Sequence, residues 1–272
     1  MELRLSVLIA VASLLFGCVK SVPVAEQRTG CVSCHIAHYA EAGACDDCHR
    51  GQPSSARKEL AHARLLSRRA AEHGLAGGSA VKEGRALVEA AACRRCHIIG
   101  GAGTGLAVNL DGVAWNREQA DLVASIQKPV ENMPAFGFDR PQAEALIAFL
   151  LNRAPRNATE ETYRVQFARD PSRTPATFDQ KCGGCHRLLT PLGPLGRSQD
   201  GPNLSGLLTE FYPMTTPLAQ AWSEKTLREW VANPRSLRRA TIMPPVALTS
   251  AEFDQVMDSL RPPEAGVSVV RN

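Results

Sequence analysis

One five-residue pattern, Cys-x-x-Cys-His, occurs four times in this chain of 272 residues and takes up eight of its nine cysteines. Residues three apart in a helical turn lie on one face, so both sulfurs of each copy point the same way, with an imidazole beside them. The eight cysteines and four histidines of the pattern are Cys31, Cys34 and His35; Cys45, Cys48 and His49; Cys93, Cys96 and His97; and Cys182, Cys185 and His186. Any fold for this chain must therefore build four sites of the same kind.

This spacing is typical of covalent attachment of haem c. The two sulfurs bond to the two vinyl groups of one porphyrin, and the histidine binds the iron as proximal ligand. Disulfides are an alternative in an exported chain, but they give no reason for a histidine after every pair. A zinc ribbon usually has about 15–20 residues between its pairs, whereas ten separate Cys34 from Cys45. A redox-active cysteine pair gives no reason for four copies. Because none of these alternatives explains the whole pattern, the sequence predicts four covalently bound haem c groups.

The N-terminus has the features of an export signal. An apolar run over residues 7–16 follows a single basic residue, Arg4, and is too short to span a bilayer. It ends in Leu-Phe-Gly-Cys18, which resembles the lipobox of bacterial lipoproteins. This predicts a signal peptide over residues 1–17, a lipid on Cys18 and a linker over 18–29, with an ordinary signal peptide as the alternative. Either way the chain is exported, and a lipid on Cys18 would anchor it to a membrane, periplasmic or outer.

Composition and charge limit the partners. Aromatic residues make up 5% of the chain, so a large core needs aliphatic side chains or a group that the sequence does not encode. The formal charge is +4, and eight haem propionates would move it to roughly −4. We find no long basic tract with interleaved aromatics, so nucleic acid is not predicted as a partner.

Two methionines are candidates for the sixth iron ligand. Met133 and Met243 each precede a proline, which holds the preceding residue in an extended conformation. Both therefore lie on stiff loops, where a thioether is held at a fixed point. Met214 is the alternative to Met243. Met257 lies on a helical apolar stripe and is expected to pack in a core.

The region after residue 78 contains an internal repeat. Residues 79–153 and 174–261 both carry the haem motif, a loop, an Asn-Leu-x-Gly segment, a helix, a Met-Pro pair and a final helix. The predicted N-caps are Asn116 and Ser223 for the middle helices and Asp139 and Thr249 for the final helices. Linkers are expected near residues 70–79 and over 154–173, and the second domain is expected to extend to 263.

Both repeats resemble class I cytochrome c domains, whose elements follow the same order. The resemblance implies that a proline after the haem motif offers its carbonyl oxygen to the proximal histidine. Pro202 matches that position. Val108 stands there in the first domain, so His97 is expected to find another acceptor. The family also packs a glycine of the N-terminal helix on the C-terminal helix, and Gly84 matches it.

Residues 30–75 differ, because two haem motifs lie close together and no methionine occurs between Met1 and Met133. The distal candidates are therefore His38, His62 and His73. The segment resembles the small dihaem bis-His modules of c7-type cytochromes. His38 is too near His35 to bind the opposite face of the same iron, but it can reach the second haem. His73 precedes Gly74 at a helix end, where a cation favoured by the helix dipole is the alternative interpretation.

The sequence thus predicts an all-α protein with three haem-binding modules: a dihaem module over 30–75 and cytochrome c domains over 79–153 and 174–263. The predicted function is electron transfer as a carrier, not an enzyme, with other cytochromes or a reductase or oxidase complex as partners. A respiratory or extracellular electron conduit is the expected setting. The alternatives are a multihaem oxidoreductase or peroxidase-like enzyme with one open haem, and the electron-donating subunit of a reductase complex.

Overall fold

The computed structural model describes residues 30–130, 132–160, 176–216 and 218–262. Helices dominate these residues, as predicted, and the described part of the chain contains one two-stranded sheet. The predicted signal peptide, the lipid site at Cys18, the linker over 18–29, most of the linker over 154–173 and both ends of the predicted second domain lie outside the described residues. No described helix is long and apolar enough to cross a membrane.

The N-terminal module consists of short helical turns. Its α-helices are α1, Cys45–His49, and α2, Lys58–Ala61, and its 3-10 helices are Gly30–Ser33, Ala40–Ala42 and Arg68–Gly74. No side chain from residue 30 to residue 65 is buried, and Leu66 is the first that is. The segment therefore has no hydrophobic core of its own polypeptide.

The first cytochrome domain has a helix at each end and the haem motif between them. Its α-helices are α3, Ser79–Ala90; α4, Leu110–Asn116; α5, Gln119–Gln127; and α6, Arg140–Arg153. Asp139 caps α6 as predicted, accepting a hydrogen bond from the Gln142 amide at 2.8 Å. The predicted cap at Asn116 is wrong, because Asn116 ends α4 and Glu118 is the N-cap of α5. The Asn116 side chain instead donates to the carbonyl oxygens of Gly112 and Ala158.

Helix α6 is the centre of the first domain. Its sequence pattern predicts one buried face, yet every residue from Ala143 to Leu151 is buried. One side packs on α3, where a Cβ atom at Gly84 would lie 2.0 Å from the Ala145 carbonyl oxygen. The expected role of Gly84 is confirmed, since only glycine allows this approach. Another side of α6 is covered by the 3-10 helix Arg68–Gly74.

The N-terminal module and the first domain share one hydrophobic core. Leu66, Ala70 and Ala71 are buried in the same cluster as the buried side chains of α6. The linker expected near residues 70–79 is therefore wrong at its start, because Ala70 is fully buried. Ser67 adds a polar contact, its amide donating to Gln119 Oε1 at 2.8 Å. The two haem-motif regions are thus fixed relative to each other.

The region predicted as the second cytochrome domain, and named accordingly below, contains the sheet. Its elements are α7, Thr177–Lys181; β1, Leu188–Thr190; β2, Gly193–Leu195; α8, Glu224–Ala232; α9, Pro234–Leu237; and α10, Ser250–Leu260. The antiparallel pair, with Leu188 opposite Leu195, was not predicted. Ser223 and Thr249 cap α8 and α10 as predicted. Met257 is buried in the domain core, which confirms its predicted packing role.

The two domains are built on the same hydrogen bonds, which confirms the internal repeat. In both, the Asn side chain of the Asn-Leu-x-Gly segment accepts from the amide two residues later, at 3.0 Å from Asp111 and 2.9 Å from Ser205. Three further amide-to-carbonyl bonds recur at matching positions. In the first domain they run from Ala107 to Cys96, from Leu110 to Ile98 and from Thr104 to Arg94. Their counterparts in the second domain run from Gly201 to Cys185, from Leu204 to Arg187 and from Arg197 to Gly183. The loops after these two haem motifs thus share the same hydrogen-bond pattern.

Candidate haem-binding sites

Each Cys-x-x-Cys-His motif forms a helical turn. The histidine amide donates to the carbonyl oxygen of the first cysteine at 3.0 Å in the first and third motifs and at 2.9 Å in the fourth. The second motif is α1 itself. None of the eight motif cysteines forms a disulfide. The backbone of each motif thus forms the turn in which residues three and four apart are neighbours on one face.

Three of the four motif histidines have their Nδ1 atom bonded to a backbone carbonyl oxygen at 2.8 Å: His49 to Leu66, His97 to Val108 and His186 to Pro202. This bond fixes the ring and the tautomer, and it leaves Nε2 as the metal-binding atom. The expectation that His97 needs an acceptor other than Val108 is wrong. The acceptor is a main-chain oxygen, so the position does not need a proline.

Glycines close the loop over the histidines of the two cytochrome domains. A Cβ atom at Gly103 or Gly196 would lie 1.9 Å from the carbonyl oxygen of His97 or His186 respectively, and both glycines have positive φ. A Cβ atom at Gly201 would lie 2.4 Å from Cε1 of the His186 ring. Sequence reasoning missed these residues, although the glycine-rich loops after both motifs were the available signal.

The histidines of the N-terminal module form two facing pairs. Nε2 of His38 lies 3.4 Å from Nε2 of His49, and the two rings are stacked at 28°. The rings of His35 and His62 are 5.9 Å apart between centroids. Two imidazole–metal bonds of about 2.0–2.1 Å place opposed nitrogens about 4 Å apart. The His38–His49 separation is close to what an iron between two imidazoles requires, and the His35 and His62 rings are near neighbours in the same module.

His73 has a different environment from the paired histidines. It is buried, its Nε2 hydrogen-bonds the Cys48 carbonyl oxygen at 3.1 Å, and its ring meets the Trp115 ring edge to face. Burial lowers the pKa of His73 to about 4, so the ring is neutral at pH 7. The interpretation of His73 as a helix-end cation is therefore wrong. Its Nε2 is engaged by the backbone, which leaves His38 and His62 as the histidines that face a motif imidazole.

The candidate methionines occupy unlike surroundings. Met243 packs against the second domain's core, and its Sδ accepts a hydrogen bond from Trp230 Nε1 at 3.0 Å. Met133 is partly buried on its loop. Met214 is 64% exposed and lines a cavity of about 520 Å³ together with Val88 and other residues of the first domain. Met214 thus points away from the core of its own domain.

The surroundings of the cysteines favour neutral sulfur. Burial raises the pKa of Cys93 and of Cys182 to about 11. Burial also lowers the pKa of His97, so its imidazole is neutral. A thioether is an uncharged sulfur and a neutral imidazole is the iron-binding form. Both fit covalent haem attachment.

The residues present fit haem. Between residues 30 and 65, where no side chain is buried, the exposed apolar residues include Ile36 at 91%, Tyr39 at 58% and Leu60 at 49%. These apolar residues are close in sequence to His35, His38 and His62. A porphyrin would supply the apolar surface that the polypeptide lacks. Among the described residues, no group of three or more His, Cys, Asp or Glu side chains comes together as a metal site.

Comparison with known proteins identifies one segment of the chain. A family model described as cytochrome C oxidase, cbb3-type, subunit III matches residues 79–150. This segment, from α3 to the last turn of α6, is a cytochrome c domain, which supports covalently bound haem c, electron transfer and redox protein partners. Searches of curated proteins and of solved structures gave no match.

Proposed function

We propose that this protein is a tetrahaem c-type cytochrome that passes electrons between redox proteins outside the cytoplasm. The observation that carries the proposal is the repetition of one backbone turn in all four Cys-x-x-Cys-His motifs. Haem supplies reversible one-electron chemistry when it is bound. The chain itself supplies the iron ligands.

The proposed ligand sets divide the four haems into two classes. In the N-terminal module, His35 pairs with His62 and His49 pairs with His38, as their facing rings indicate. In the cytochrome domains, His97 pairs with Met133, and His186 pairs with Met243. Methionine ligation raises haem potential relative to histidine ligation. The N-terminal pair therefore has the lower potentials, and one chain spans a range of them.

We further propose that a lipid on Cys18 anchors the protein to a periplasmic or outer membrane. The partners are then other cytochromes or an oxidase or reductase complex, and the chain serves as a conduit between them. The family model that matches residues 79–150 is named for an oxidase subunit, which favours a membrane complex as one partner. The proposal assigns all four irons two protein ligands each, so the chain acts as a carrier and not as an enzyme.

A spectroscopic redox titration of the purified mature protein tests this proposal, together with its mass after denaturation. We expect four haems that survive denaturation, because each is held by two thioethers, and two groups of potentials. A mass that corresponds to fewer than four haems, after expression with a complete haem maturation system, would contradict the proposal. Binding of carbon monoxide by the reduced native protein would reveal an open iron and favour the enzymatic alternative.

A further inference from the structure

The haem-binding turn of the first cytochrome domain contacts a single loop of the second domain. Arg95, which lies between Cys93 and Cys96, donates from Nη1 to the Asn203 carbonyl oxygen at 3.2 Å. Its guanidinium carbon lies 5.6 Å from the centre of the Tyr212 ring. The Tyr212 hydroxyl donates to the same Asn203 oxygen at 3.1 Å. One carbonyl oxygen of the second domain is thus held by two donors, one from each domain.

The two backbones also touch directly. A Cβ atom at Gly206 would lie 2.6 Å from the Arg95 carbonyl oxygen, and Gly206 has a φ of +70°. Burial raises the pKa of Cys96, and the hydroxyl of the fully buried Ser205, which lies beside the Cys96 side chain, acts to lower it. Cys96 is one of the two attachment points of the first domain's haem. The second domain therefore reaches the edge of that haem site.

The other end of the same loop holds the second domain's proximal histidine. Pro202, which precedes Asn203, accepts a hydrogen bond from His186 Nδ1 at 2.8 Å. Gly201 lies directly against the His186 ring. The loop over residues 201–206 thus touches a haem-attachment cysteine on one side and an iron-binding imidazole on the other.

We propose that the loop over residues 201–206, clamped by Arg95, is the electron-transfer junction between the two cytochrome c domains. This inference rests on the proposed function and adds the route between two of its haems. Tunnelling weakens steeply with distance and is stronger through bonded and packed atoms than across a gap. Here Cys96 is bonded to Arg95 through the backbone, Arg95 donates to the Asn203 carbonyl oxygen, and Pro202 accepts from the His186 imidazole, which gives a continuous path of covalent and hydrogen bonds.

The step that the junction carries is a single-electron transfer. The iron held by one domain is oxidised from ferrous to ferric while the iron held by the other is reduced from ferric to ferrous. No bond forms or breaks and no proton moves. The role of Arg95 is to position the two domains, since its fork of donors fixes the contact with Asn203.

The test uses the full-length holoprotein and two variants that open the junction by different means. Arg95→Ala removes the clamp, and Gly206→Ala pushes the backbones apart without changing charge. Arg94→Ala is the matched control, because Arg94 lies in the same motif but donates to Ile99 and Glu89. Gly77→Ala controls for the strain of a positive φ, since Gly77 has a φ of +71° and only Lys82 Nζ nearby.

Pulse radiolysis delivers less than one electron per molecule, and the redistribution among haems is followed by absorbance. We expect one concentration-independent phase to slow at least about tenfold in both junction variants, equivalent to about 1.4 kcal/mol in activation free energy. Both controls should match the wild type. Unchanged phases in the junction variants, or slowing in Arg95→Ala alone, would overturn the junction. Haem counts and potentials are measured on each variant. Fewer than four haems in the wild type would refute the proposed function. Four haems with unchanged electron-transfer rates in the junction variants would refute only the junction.

Discussion

Nε2 of His38 lies 3.4 Å from Nε2 of His49, so two histidines eleven residues apart face each other across the N-terminal module. His49 is fixed from behind by its Nδ1 bond to Leu66, and Leu66 belongs to the core shared with the first cytochrome domain. The position of this histidine pair is therefore set by the core of the neighbouring domain, although the module itself has no buried side chain before Leu66.

The first prediction concerns this pair. Replacing His38 with Ala should leave four covalent haems, because the thioether bonds do not depend on the distal ligand. One iron should lose its sixth ligand, become high-spin or bind water, and gain the ability to bind carbon monoxide. Electron paramagnetic resonance of the oxidised protein and carbon monoxide difference spectra measure this change.

His73→Ala is the matched control for the ligand assignment. His73 lies in the same module, but its Nε2 bonds to the Cys48 carbonyl oxygen and does not face a motif imidazole. We expect this variant to keep all four irons six-coordinate, although it should be less stable because a buried ring is removed. A new high-spin iron in His73→Ala, with none in His38→Ala, would mean that the pairing is misassigned.

The second prediction concerns the contact between α3 and α6. Alanine is usually the better residue within a helix, by about 1 kcal/mol over glycine. At Gly84, however, the added Cβ would lie 2.0 Å from the Ala145 carbonyl oxygen. Gly84→Ala should therefore lower the free energy of unfolding, by about 1–3 kcal/mol as for other overpacked cores. Thermal or denaturant unfolding measures this, with Arg85→Ala on the exposed face of α3 as control. An increase in stability would contradict the observed packing.

Local features of this fold were predictable from the sequence, and long-range ones were not. The capping boxes at Asp139 and Thr249 were predicted because their partners lie three residues away. Asn116 was misassigned because its side chain bonds to the Ala158 carbonyl oxygen, forty-two residues along the chain. Asparagine is often an N-cap, but the side chain of Asn116 makes a tertiary contact instead.

The same distinction applies to burial. The sequence of α6 shows one apolar face, and the burial of its remaining side chains depends on the 3-10 helix Arg68–Gly74 packing on it. For the same reason, the sequence left His73 as either a distal-ligand candidate or a helix-end cation, whereas the structure buries its ring against Trp115. The haem motifs were predictable because their chemistry is contained in five consecutive residues.

The third prediction concerns the membrane anchor. Cys18→Ser removes the only thiol that a lipobox offers, so the lipid cannot be attached. We expect the mature protein to move from the membrane fraction to the soluble periplasmic fraction, with its four haems retained. Fractionation with haem staining and intact mass measure location and acylation together. A variant that stays as firmly bound to the membrane as the wild type would contradict lipid anchoring.

The fourth prediction separates Met243 from Met214. Met243→His should keep the iron of the second cytochrome domain six-coordinate and lower its potential, since an imidazole replaces a thioether. Met214→Leu should leave the absorption spectrum and potentials unchanged, because Met214 is 64% exposed and faces the first domain. Loss of the thioether–iron absorption band in Met214→Leu, with the band intact in Met243→His, would reverse the assignment.

The fifth prediction concerns Trp230, whose Nε1 donates a hydrogen bond to the Met243 sulfur at 3.0 Å. A thioether sulfur has two lone pairs, so it can accept this bond and still bind iron. The bond draws electron density from the sulfur, which weakens its donation to ferric iron and favours the ferrous state. We therefore expect Trp230 to raise the potential of the haem proposed for the second domain. The matching position in the first domain is the exposed Ser125, so the two methionine-ligated haems should differ in potential.

Trp230→Phe should lower that potential by on the order of 20–60 mV, the electrical equivalent of about 0.5–1.5 kcal/mol for one hydrogen bond. The iron should remain six-coordinate, because the phenylalanine ring still packs beside the loop. Trp222→Phe is the control, since the Trp222 indole donates to Thr215 and only its ring contacts Trp230. A redox titration resolves the two variants. Equal potentials in Trp230→Phe and the wild type, with the thioether–iron band retained, would show that the indole only packs against Met243 and does not tune the iron.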